Sequence, residues 1–450
     1  MLTPLSERIA AAACPLPPLS TKSFGSYFDS YADNDVVLLG DGTHGTSEFY
    51  RARMEITKHL IKHHGFNIVA AEADWPDAER VDRYVRQRPA IPVKSEEEKE
   101  EPFQRFPTWM WRNKEMQFLA EWMRNHNAKL DPEKRVGFFG LDIFSMGTSI
   151  RAVTDYLDGV DPNMANIARR RYGCLQPWVE DPAQYGLLAS NPDVNMGRCE
   201  AKVVRMLHDL LKKRIEYINA HSDGDEFHSA EQNARVVAHS EAYYRAMFYS
   251  SPSSWSLRDT HMCDTLQRLL ETRPKGSKVV VWAHNSHVGD ARYTSMGRRG
   301  GEVNLGQLVR EKFGRDNVAL LGCGTNSGTV AAAHDWDEDM EIMEIQPSRK
   351  DSWEYIAHQT GIRSFVLDLR EGRAHPEIRQ AMAKETNRLE RFIGVIYRPE
   401  TERISHYSVA SLADQFDAYI WFDETEAVQA LEKIQPRTVL SNVETYPFGL

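Results

Sequence analysis

The chain has 450 residues, of which 41% are hydrophobic and 27% are charged, and its formal net charge is -10 at pH 7. This composition fits a globular protein with enough chain for two or three average domains, or for one large α/β domain with insertions. The acidic balance argues against a nucleic-acid partner, which normally selects a basic surface, and no apolar stretch approaches membrane-spanning length.

Short apolar runs rich in β-branched residues alternate with helical patterns, which is typical of a mainly parallel sheet covered by helices on both faces. The runs predicted as strands are Val36–Gly40, Asn67–Ala71, Val136–Leu141, Lys278–Ala283, Val318–Leu321, Ser364–Leu369, Phe392–Tyr397 and Ala418–Phe422. The last two flank a polar stretch and could be antiparallel additions. The predicted fold class is therefore α/β, with an α/β/α arrangement of layers.

No convincing strand is present between Ser149 and Pro274, where Lys202–His221 and Glu231–Tyr249 have helical patterns. We interpret this stretch as a helical subdomain that is inserted into the core and forms one wall of a cleft. The predicted organisation is residues 1–148 as the first part of the α/β core with active-site loops, residues 149–274 as the helical subdomain, and residues 275–450 as the second part of the core.

The cysteines show no close spacing of the kind found in zinc clips or redox motifs. They are Cys14, Cys174, Cys199, Cys263 and Cys323. Reduced thiols are therefore expected. The first 19 residues also lack the basic-then-apolar order of a signal peptide. Together these features predict a cytoplasmic protein.

The first candidate site residue is His44, in the run GDGTHG directly after the first predicted strand. Open α/β sheets hold ligand and catalytic groups in the crevice beyond the carboxyl ends of their strands. The surrounding glycines suit a tight turn with unusual backbone dihedrals, followed by a helix that begins at Thr46 or Ser47 and stops at Gly65. On that turn His44 would point into the crevice, or would merely order the turn.

Several charged residues are predicted to be buried near the same strand ends. Arg53 falls in the middle of the apolar face of the helix that follows His44. Because a buried guanidinium needs a carboxylate partner or a polar cavity, Asp41 and Glu72 are its candidate partners. Glu72 and Asp142 each follow a buried strand. A helix-capping role competes with a functional one for Asp142, whereas glutamate is a poorer cap.

Two more histidines, His284 and His287, follow the strand predicted at Lys278–Ala283. Arg258, at the predicted start of a helix, could present a cation to an anionic substrate group or transition state. A metal site made of the histidines is conceivable, but the segment does not have the His-Glu-x-x-His helix of zinc proteases.

The chain contains neither a Gly-x-Ser-x-Gly elbow nor a Walker A sequence. The most economical mechanism is therefore activation of water by a histidine general base. Carboxylates would tune the histidine and an arginine would stabilise developing negative charge. No cofactor is expected.

These motifs resemble, in the same order, those of the erythromycin esterase family. The matching runs are GDGTHG with EFYRAR, AAEADWPDA, GLDIF, the RD of SLRDTHM, VWAHNSHV, the MG after Ser295, and RFIGVIYRPETERISHY. The resemblance extends from about Val36 to Glu424, which is nearly the whole chain. The run FPTWMWRN, at Phe106–Asn113, is more similar to longer uncharacterised members than to the resistance enzymes.

The resemblance implies metal-independent opening of macrolide lactone rings by a histidine-activated water, in a cleft between an α/β/α core and a helical subdomain. It also implies that His44 is the general base. The expected catalytic residues are His44, Glu72, Asp41 and His284, and the expected substrate-binding residues are Arg53, His287, Arg258 and Asp142. The expected partner is a small-molecule ester or lactone, possible macrolides included, with neither nucleic acid nor membrane. The sequence indicates no oligomeric state.

Asp41 departs from the family pattern, which usually has glutamate three residues before the histidine. Aspartate is one methylene shorter, so its carboxylate is expected to lie about 1 Å further from its partner, enough to reduce the rate. Two other functions therefore stay open. One is a metal-dependent hydrolase that uses the same histidines with Glu72, and the other is a non-catalytic or biosynthetic accessory protein that retains the pocket.

Overall fold

The computed structural model describes residues 3–91, 101–191, 198–218, 224–248, 250–373 and 375–436. Strands are, in chain order, β1 Cys14–Pro15, β2 Val36–Leu39, β3 Phe66–Asp74, β4 Gly137–Asp142, β5 Lys278–Trp282, β6 Val318–Ala332, β7 Glu341–Ile345, β8 Ser364–Asp368, β9 Leu389–Arg391, β10 Tyr407–Val409 and β11 Ala418–Thr425.

Most of these strands form one mixed sheet in the order β1-β8-β11-β6-β2-β5-β3-β4, with β7 paired to β6. The six strands from β11 to β4 run parallel. The pairings of β8 with β11, of β1 with β8 and of β7 with β6 are antiparallel. Strands β9 and β10 form a separate antiparallel pair. The prediction of an α/β fold with a mainly parallel sheet is confirmed.

Two predictions about the late strands are wrong. Phe392–Tyr397 is not a strand, because only isolated bridges from Ile393 to Thr43 and from Ile396 to Ala333 hold it beside the sheet. The run at Ala418 forms β11, which is not an antiparallel addition to the parallel strands, since it pairs in parallel with β6. The antiparallel neighbour of β11 is β8.

Helices cover both faces of the sheet. The α-helices are α1 Leu5–Ala12, α2 Ser47–His64, α3 Trp75–Arg86, α4 Lys114–Asn127, α5 Met146–Val160, α6 Pro162–Tyr172, α7 Pro182–Ser190, α8 Glu200–Lys212, α9 Arg214–Ile218, α10 Asp225–Met247, α11 Ser251–Thr272, α12 Asn285–Val288, α13 Leu305–Phe313, α14 Trp353–His358, α15 Pro376–Met382, α16 Glu402–Ser405 and α17 Leu412–Gln415. Short 3₁₀ helices are Phe24–Tyr31, Thr108–Met110, Pro132–Lys134, Gln176–Trp178, Ala291–Tyr293 and Arg315–Asn317, and a π-helical turn spans Met296–Gly300.

The described residues between β4 and β5 contain helices and no strand, as predicted. Helices α5 to α8 and α10 enclose their own hydrophobic cluster, in which Val153, Val203, Leu210 and Val237 are fully buried. Helix α11 belongs instead to the core, because Met262 and its neighbours pack against the sheet. The helix predicted at 202–221 divides into α8 and α9, and its last three residues lie outside the described ones. The three-part domain division stays a prediction.

Cys174 and Cys199 form a disulfide in this helical layer, with their Cα atoms 6.0 Å apart. The expectation of reduced thiols is therefore wrong for this pair. Their sequence separation of 25 gave no signal of the close-spacing type, since Cys174 follows the end of α6 and Cys199 directly precedes α8. Because disulfides are typical of oxidising environments, the cysteines no longer support the cytoplasmic prediction. Among the described helices, none is both long and apolar enough to cross a membrane.

Candidate functional site

The turn that carries His44 lies between β2 and α2, at the carboxyl edge of the parallel strands. The backbone N–H of His44 donates to the carbonyl of Ile393 at 3.2 Å, and the Tyr50 hydroxyl donates to the His44 carbonyl at 3.0 Å. A Cβ on Gly45 would lie 1.9 Å from the Ala331 carbonyl oxygen. The glycines of this turn have no positive φ, so the predicted unusual dihedrals are wrong and close packing is the reason for glycine.

His44 is buried and lies between two carboxylates. Its Nδ1 is 3.4 Å from Asp41 Oδ1, and its Nε2 is 3.9 Å from Glu72 Oε1. The second distance is beyond hydrogen-bond range, so His44 Nε2 makes no hydrogen bond to Glu72. Burial lowers the pKa of His44, although Asp41 and Glu72 oppose that shift. The imidazole is therefore neutral at neutral pH and can accept a proton.

Arg53 pairs with Asp41, so of the two predicted alternatives, a carboxylate partner or a polar cavity, the structure has the carboxylate partner. Its Nη1 lies 2.6 Å from Asp41 Oδ2, and both side chains are almost fully buried. The guanidinium also packs over the rings of Tyr50 and Trp282, at 4.5 and 4.8 Å from their centroids. These cation–π contacts explain how α2 accommodates a charge on its apolar face. Burial nevertheless raises the pKa of Asp41 despite the arginine.

Arg258 holds the carboxylates of two strand ends together. Its Nη2 lies 2.6 Å from Glu72 Oε1 and 2.7 Å from Asp142 Oδ2, while its Nε donates to Asp142 Oδ1 at 3.0 Å. Burial alone would raise the pKa of Glu72, but the charges of His287 and Arg258 hold it well below its usual range. Glu72 is therefore an ionised carboxylate.

Two details of the sequence interpretation change at this cluster. Arg258 does not open a helix, since α11 begins at Ser251 and Arg258 lies two turns further on. Asp142 does not cap a following helix, since α5 begins at Met146 and the Asp142 carboxylate is engaged by Arg258. The two hydrogen bonds to Asp142 fix the orientation of the Arg258 side chain, because a planar guanidinium can donate to both oxygens of one carboxylate.

His287 lies on the short helix α12 rather than in a loop, and it contacts carboxylates through both ring nitrogens. Its Nδ1 is 2.8 Å from Asp259 Oδ1, and its Nε2 is 3.3 Å from Glu72 Oε1. Trp255 stacks on the ring, with centroids 4.4 Å apart. Burial opposes the charged imidazolium, but Asp259 and Glu72 outweigh it and raise the pKa of His287 to about 9.

Asp259 is a functional candidate that the sequence interpretation missed. It is fully buried, contacts His287, and accepts the Leu305 backbone N–H at 2.6 Å. The only sequence signal was its place beside Arg258 in the run SLRDTHM. Adjacent helical residues point in different directions, so the Arg-Asp pair reaches two different partners.

His284 contacts Glu72 through its backbone and not through its ring. Its backbone N–H donates to Glu72 Oε2 at 2.9 Å, and its Nδ1 accepts the Ser286 N–H at 3.3 Å, which caps α12. The ring lies 4.8 Å from that of His44. Burial and the neighbouring His44 keep the pKa of His284 well below its ordinary value, so the ring is neutral.

A cavity of about 450 Å³ opens at this cluster. Four predicted site residues line it, namely His44, Glu72, Asp142 and Arg258. The other four, Asp41, Arg53, His284 and His287, lie behind them and do not line it. The predicted substrate-binding roles of Arg53 and His287 stay predictions: Arg53 is paired with Asp41, and Trp255, a residue that lines the cavity, stacks on the ring of His287.

The cavity wall combines residues from both parts of the chain. Aromatic side chains in it include Phe103, Phe106, Trp111, Phe144, Tyr243 and Trp255, and charged side chains are at least as numerous. Helices α5 and α10 of the helical layer contribute Met146 and Met247. A concave site that combines aromatic and charged side chains suits a small molecule with both apolar and polar parts.

Metal ligation was one alternative for the three histidines. Within the described ranges, the group of ligand atoms close enough together to hold a metal ion consists of Asp29, His59 and His64, which lie near the other end of α2. The set of His44, His284 and His287 with Glu72 does not form such a group there.

Residues 61–425 match the sequence model of a family described as Erythromycin esterase, which is well over half of the chain. The chain belongs to the erythromycin esterase family. The matched residues include Glu72, Asp142, Arg258 and both histidines near 284, whereas Asp41, His44 and Arg53 precede them. Family membership points to a hydrolase in general and names no substrate for this chain.

The curated proteins similar to this chain include a putative hydrolase and erythromycin esterases. "Putative hydrolase YbfO" from Bacillus subtilis (strain 168) is 22% identical over 275 residues, which cover 56% of this chain and 56% of that protein. The chain thus spans little more than half the length of this relative. Erythromycin esterase type I from Escherichia coli is 21% identical over 304 residues, covering 64% of this chain and 70% of that protein.

Two solved structures share the fold. A succinoglycan biosynthesis protein superposes with a TM-score of 0.74 at 21% identity, covering 95% of this chain and 98% of the other. A mutant of the erythromycin esterase EreC in its open conformation gives a TM-score of 0.67 at 16% identity, covering 94% and 99%. At these identities the likeness shows the fold alone.

Proposed function

We propose that this protein hydrolyses an ester or lactone with a water molecule that His44 activates. The observation that carries the proposal is the position of His44, a neutral buried imidazole at the base of the cavity with a carboxylate on each side. A general base must be unprotonated before the reaction and must have its charge stabilised afterwards. Burial provides the first condition, and Asp41 and Glu72 provide the second.

In the proposed reaction, His44 Nε2 removes a proton from water as the oxygen attacks the carbonyl carbon of the substrate. The electron pair of the carbonyl moves to its oxygen, and Arg258, a cation in the cavity wall, stabilises the developing charge. Collapse of the intermediate breaks the bond to the alkoxide, which takes the proton back from His44. The products are a carboxylic acid and an alcohol, joined in one molecule if the substrate is a lactone.

The residues behind the cavity hold this base in place. Arg53 fixes Asp41, and His287 neutralises part of the charge on Glu72. Because Arg258 and His287 already surround Glu72 with positive charge, its carboxylate is not available as a free metal ligand. This arrangement favours metal-independent activation of water over the metal-dependent alternative.

A macrolide is a candidate substrate because erythromycin esterases are among the relatives. The first experiment offers a 14-membered macrolide and a panel of smaller lactones and aryl esters, and it follows products by mass spectrometry with and without a chelator. The expected product carries one added water. His44→Ala should lose roughly 10²- to 10⁴-fold in rate, the contribution of a general base, and the chelator should have no effect.

Ser145→Ala provides a matched control, because Ser145 lines the same cavity and its hydroxyl makes no hydrogen bond to the described residues. It should retain wild-type turnover, since water and not serine attacks. Full activity in His44→Ala would contradict the proposal. Loss of activity in Ser145→Ala, with His44→Ala merely slowed, would indicate an acyl-enzyme instead. Circular dichroism of both variants verifies that the fold is intact.

A further inference from the structure

A second group of polar residues lies at the carboxyl-terminal end of α2, where the candidate active site does not extend. Asp29 Oδ1 lies 2.6 Å from His59 Nε2 and 2.7 Å from His64 Nε2. A single carboxylate oxygen thus contacts the Nε2 atoms of both histidines. The three ligand atoms all lie within 4.8 Å of one another.

Rigid neighbours hold these three residues in place. Asp29 is on the 3₁₀ helix Phe24–Tyr31, of which Phe24, Phe28 and Tyr31 are buried in the core against α2. A Cβ on Gly25 would lie 2.3 Å from His59 Cβ, so only glycine lets the two helices approach this closely. The site therefore brings together residues that are far apart in the chain on elements that the core already fixes.

The side chains themselves keep contact with solvent. The exposed fraction is 16% for His59, 28% for His64 and 50% for Asp29. An ion from solution can therefore reach the site.

We propose that Asp29, His59 and His64 form a binding site for a borderline divalent metal ion, of which Zn²⁺ is the representative. Two imidazoles and one carboxylate suit Zn²⁺, Ni²⁺ and Cu²⁺, whereas Ca²⁺ and Mg²⁺ prefer oxygen ligands. Zn²⁺ bound here has three protein ligands and completes its coordination with solvent. The ion replaces the shared protons between the histidines and the carboxylate.

This site is structural and is separate from the proposed hydrolysis. Helix α2 has 18 residues, which corresponds to a length of about 27 Å, and His44 precedes its first residue while His64 is its last. A bound ion would clamp the 3₁₀ helix onto α2, which carries Arg53 at its middle. The proposal therefore does not depend on the reaction at His44, and its test needs no substrate.

The test uses tag-free protein dialysed against chelator, with Zn²⁺, and then Mg²⁺, titrated by calorimetry. The wild type should bind one equivalent of Zn²⁺ and show a higher Tm with Zn²⁺ than without it, while Mg²⁺ should do neither. Asp29→Asn and His64→Gln should each lower the affinity for this Zn²⁺ ion by at least roughly 10-fold, since loss of even an outer-shell partner lowers metal affinity that much. Diffraction at the zinc absorption edge should place the ion between the three side chains.

Two control variants test whether the bound Zn²⁺ ion lies at this site. His334→Gln should bind like the wild type, because His334 is an exposed histidine 3.8 Å from Glu341 without a third ligand in that group. His44→Ala should also retain the equivalent. Absence of Zn²⁺ binding in the wild type would overturn the proposal. Binding that survives in Asp29→Asn but disappears in His44→Ala would also overturn it, because the ion would then belong to the cavity.

Discussion

One methylene at Asp41 decides how tightly the proposed base is held. Asp41 Oδ2 is engaged by Arg53 at 2.6 Å, which leaves Oδ1 at 3.4 Å from His44 Nδ1. That distance is longer than a good hydrogen bond, and Asp41 Oδ1 has no hydrogen-bond partner among the described residues. The ring of His44 is therefore oriented less firmly than a closer carboxylate would orient it.

Asp41→Glu should raise the rate of hydrolysis. The longer side chain can reach His44 Nδ1 without releasing Arg53. Because misplacement of a catalytic group by about 1 Å can lower the rate about 10²-fold, we expect kcat to rise by up to that factor. The measurement is kcat and KM on the best substrate of the panel. Asp41→Asn is the matched control and should lower kcat, because it removes the charge that stabilises the imidazolium. A slower Asp41→Glu enzyme would contradict this explanation.

The Asp259–His287 pair predicts how stability depends on pH. The pKa of His287 is about 9 in the folded protein, against about 6.5 for a free histidine. Because the folded value is raised, protonation stabilises the fold fully below pH 6.5, and this contribution is lost as the pH rises to about 9. The loss is at most roughly 3 kcal/mol in the free energy of unfolding.

Asp259→Asn should remove most of this dependence, since it removes the strongest charge that favours the imidazolium. Urea unfolding of wild type and variant at pH 6.5 and pH 9 gives the difference directly, and subtraction cancels other titrating groups. Asp264→Asn, on the same helix but away from His287, should behave like the wild type. Equal pH dependence in Asp259→Asn and wild type would mean that His287 is not charged at neutral pH.

At the scale of elements, the sequence was informative where burial alone selects the residues. The strands of the parallel core are apolar on both faces, so β2 to β5 and the first four residues of β6 were predicted from continuous apolar runs. The end of α2 was predicted from the glycine at position 65, and Gly65 indeed adopts the left-handed conformation there, with φ 74°. These features depend on local residue type.

Features that depend on long-range partners could not be predicted in the same way. Phe392–Tyr397 is as apolar as a strand, yet it packs beside the His44 turn, and nothing local distinguishes the two outcomes. Arg53 was predicted to need a carboxylate, but the choice of Asp41 over Glu72 depends on Arg258, which is 186 residues from Glu72. Asp259 was missed because its partner His287 is 28 residues away.

Gly45→Ala should disrupt the His44 turn as an element. The added methyl would lie 1.9 Å from the Ala331 carbonyl oxygen, which belongs to β6 and cannot move aside. Overpacking of this kind typically costs about 1–3 kcal/mol in the free energy of unfolding, and activity should fall further because His44 is displaced. Urea unfolding together with kcat measures both effects.

Gly159→Ala is the control for this substitution. Gly159 lies in α5, its added Cβ would meet nothing within 4 Å, and its φ is not positive. Alanine there should be neutral or should stabilise the protein by up to about 1 kcal/mol, with unchanged kcat. If Gly45→Ala were as harmless as Gly159→Ala, the close approach of the turn to β6 would not constrain the site.

At the scale of the whole molecule, the reacting groups and part of the cavity wall belong to different layers. The base and its carboxylates come from the ends of the parallel strands, whereas α5 and α10 supply Met146 and Met247 to the opposite wall. The helical layer has its own hydrophobic cluster, which shares no residue with the clusters that cover the sheet. Substrate binding and chemistry should therefore be separable by mutation.

Leu210→Ala tests this separation. Leu210 is fully buried in the helical cluster, so the cavity left behind should cost about 2–5 kcal/mol, and the cost should fall mainly on that layer. Hydrogen exchange should accelerate for amides of α5 to α8 while β2 and β5 keep their protection. KM should rise because one wall of the cavity loosens, and kcat should change little because His44 and Glu72 are held by the sheet.

Val204→Ala, on the same helix with its side chain 52% exposed, should leave exchange and kinetics unchanged. Equal acceleration of exchange across both layers in Leu210→Ala would show that the chain unfolds as one cooperative unit. In that case the substrate-facing wall and the reacting groups would share a single stability, and a variant with altered substrate preference could not be made in the helical layer without weakening the His44 turn.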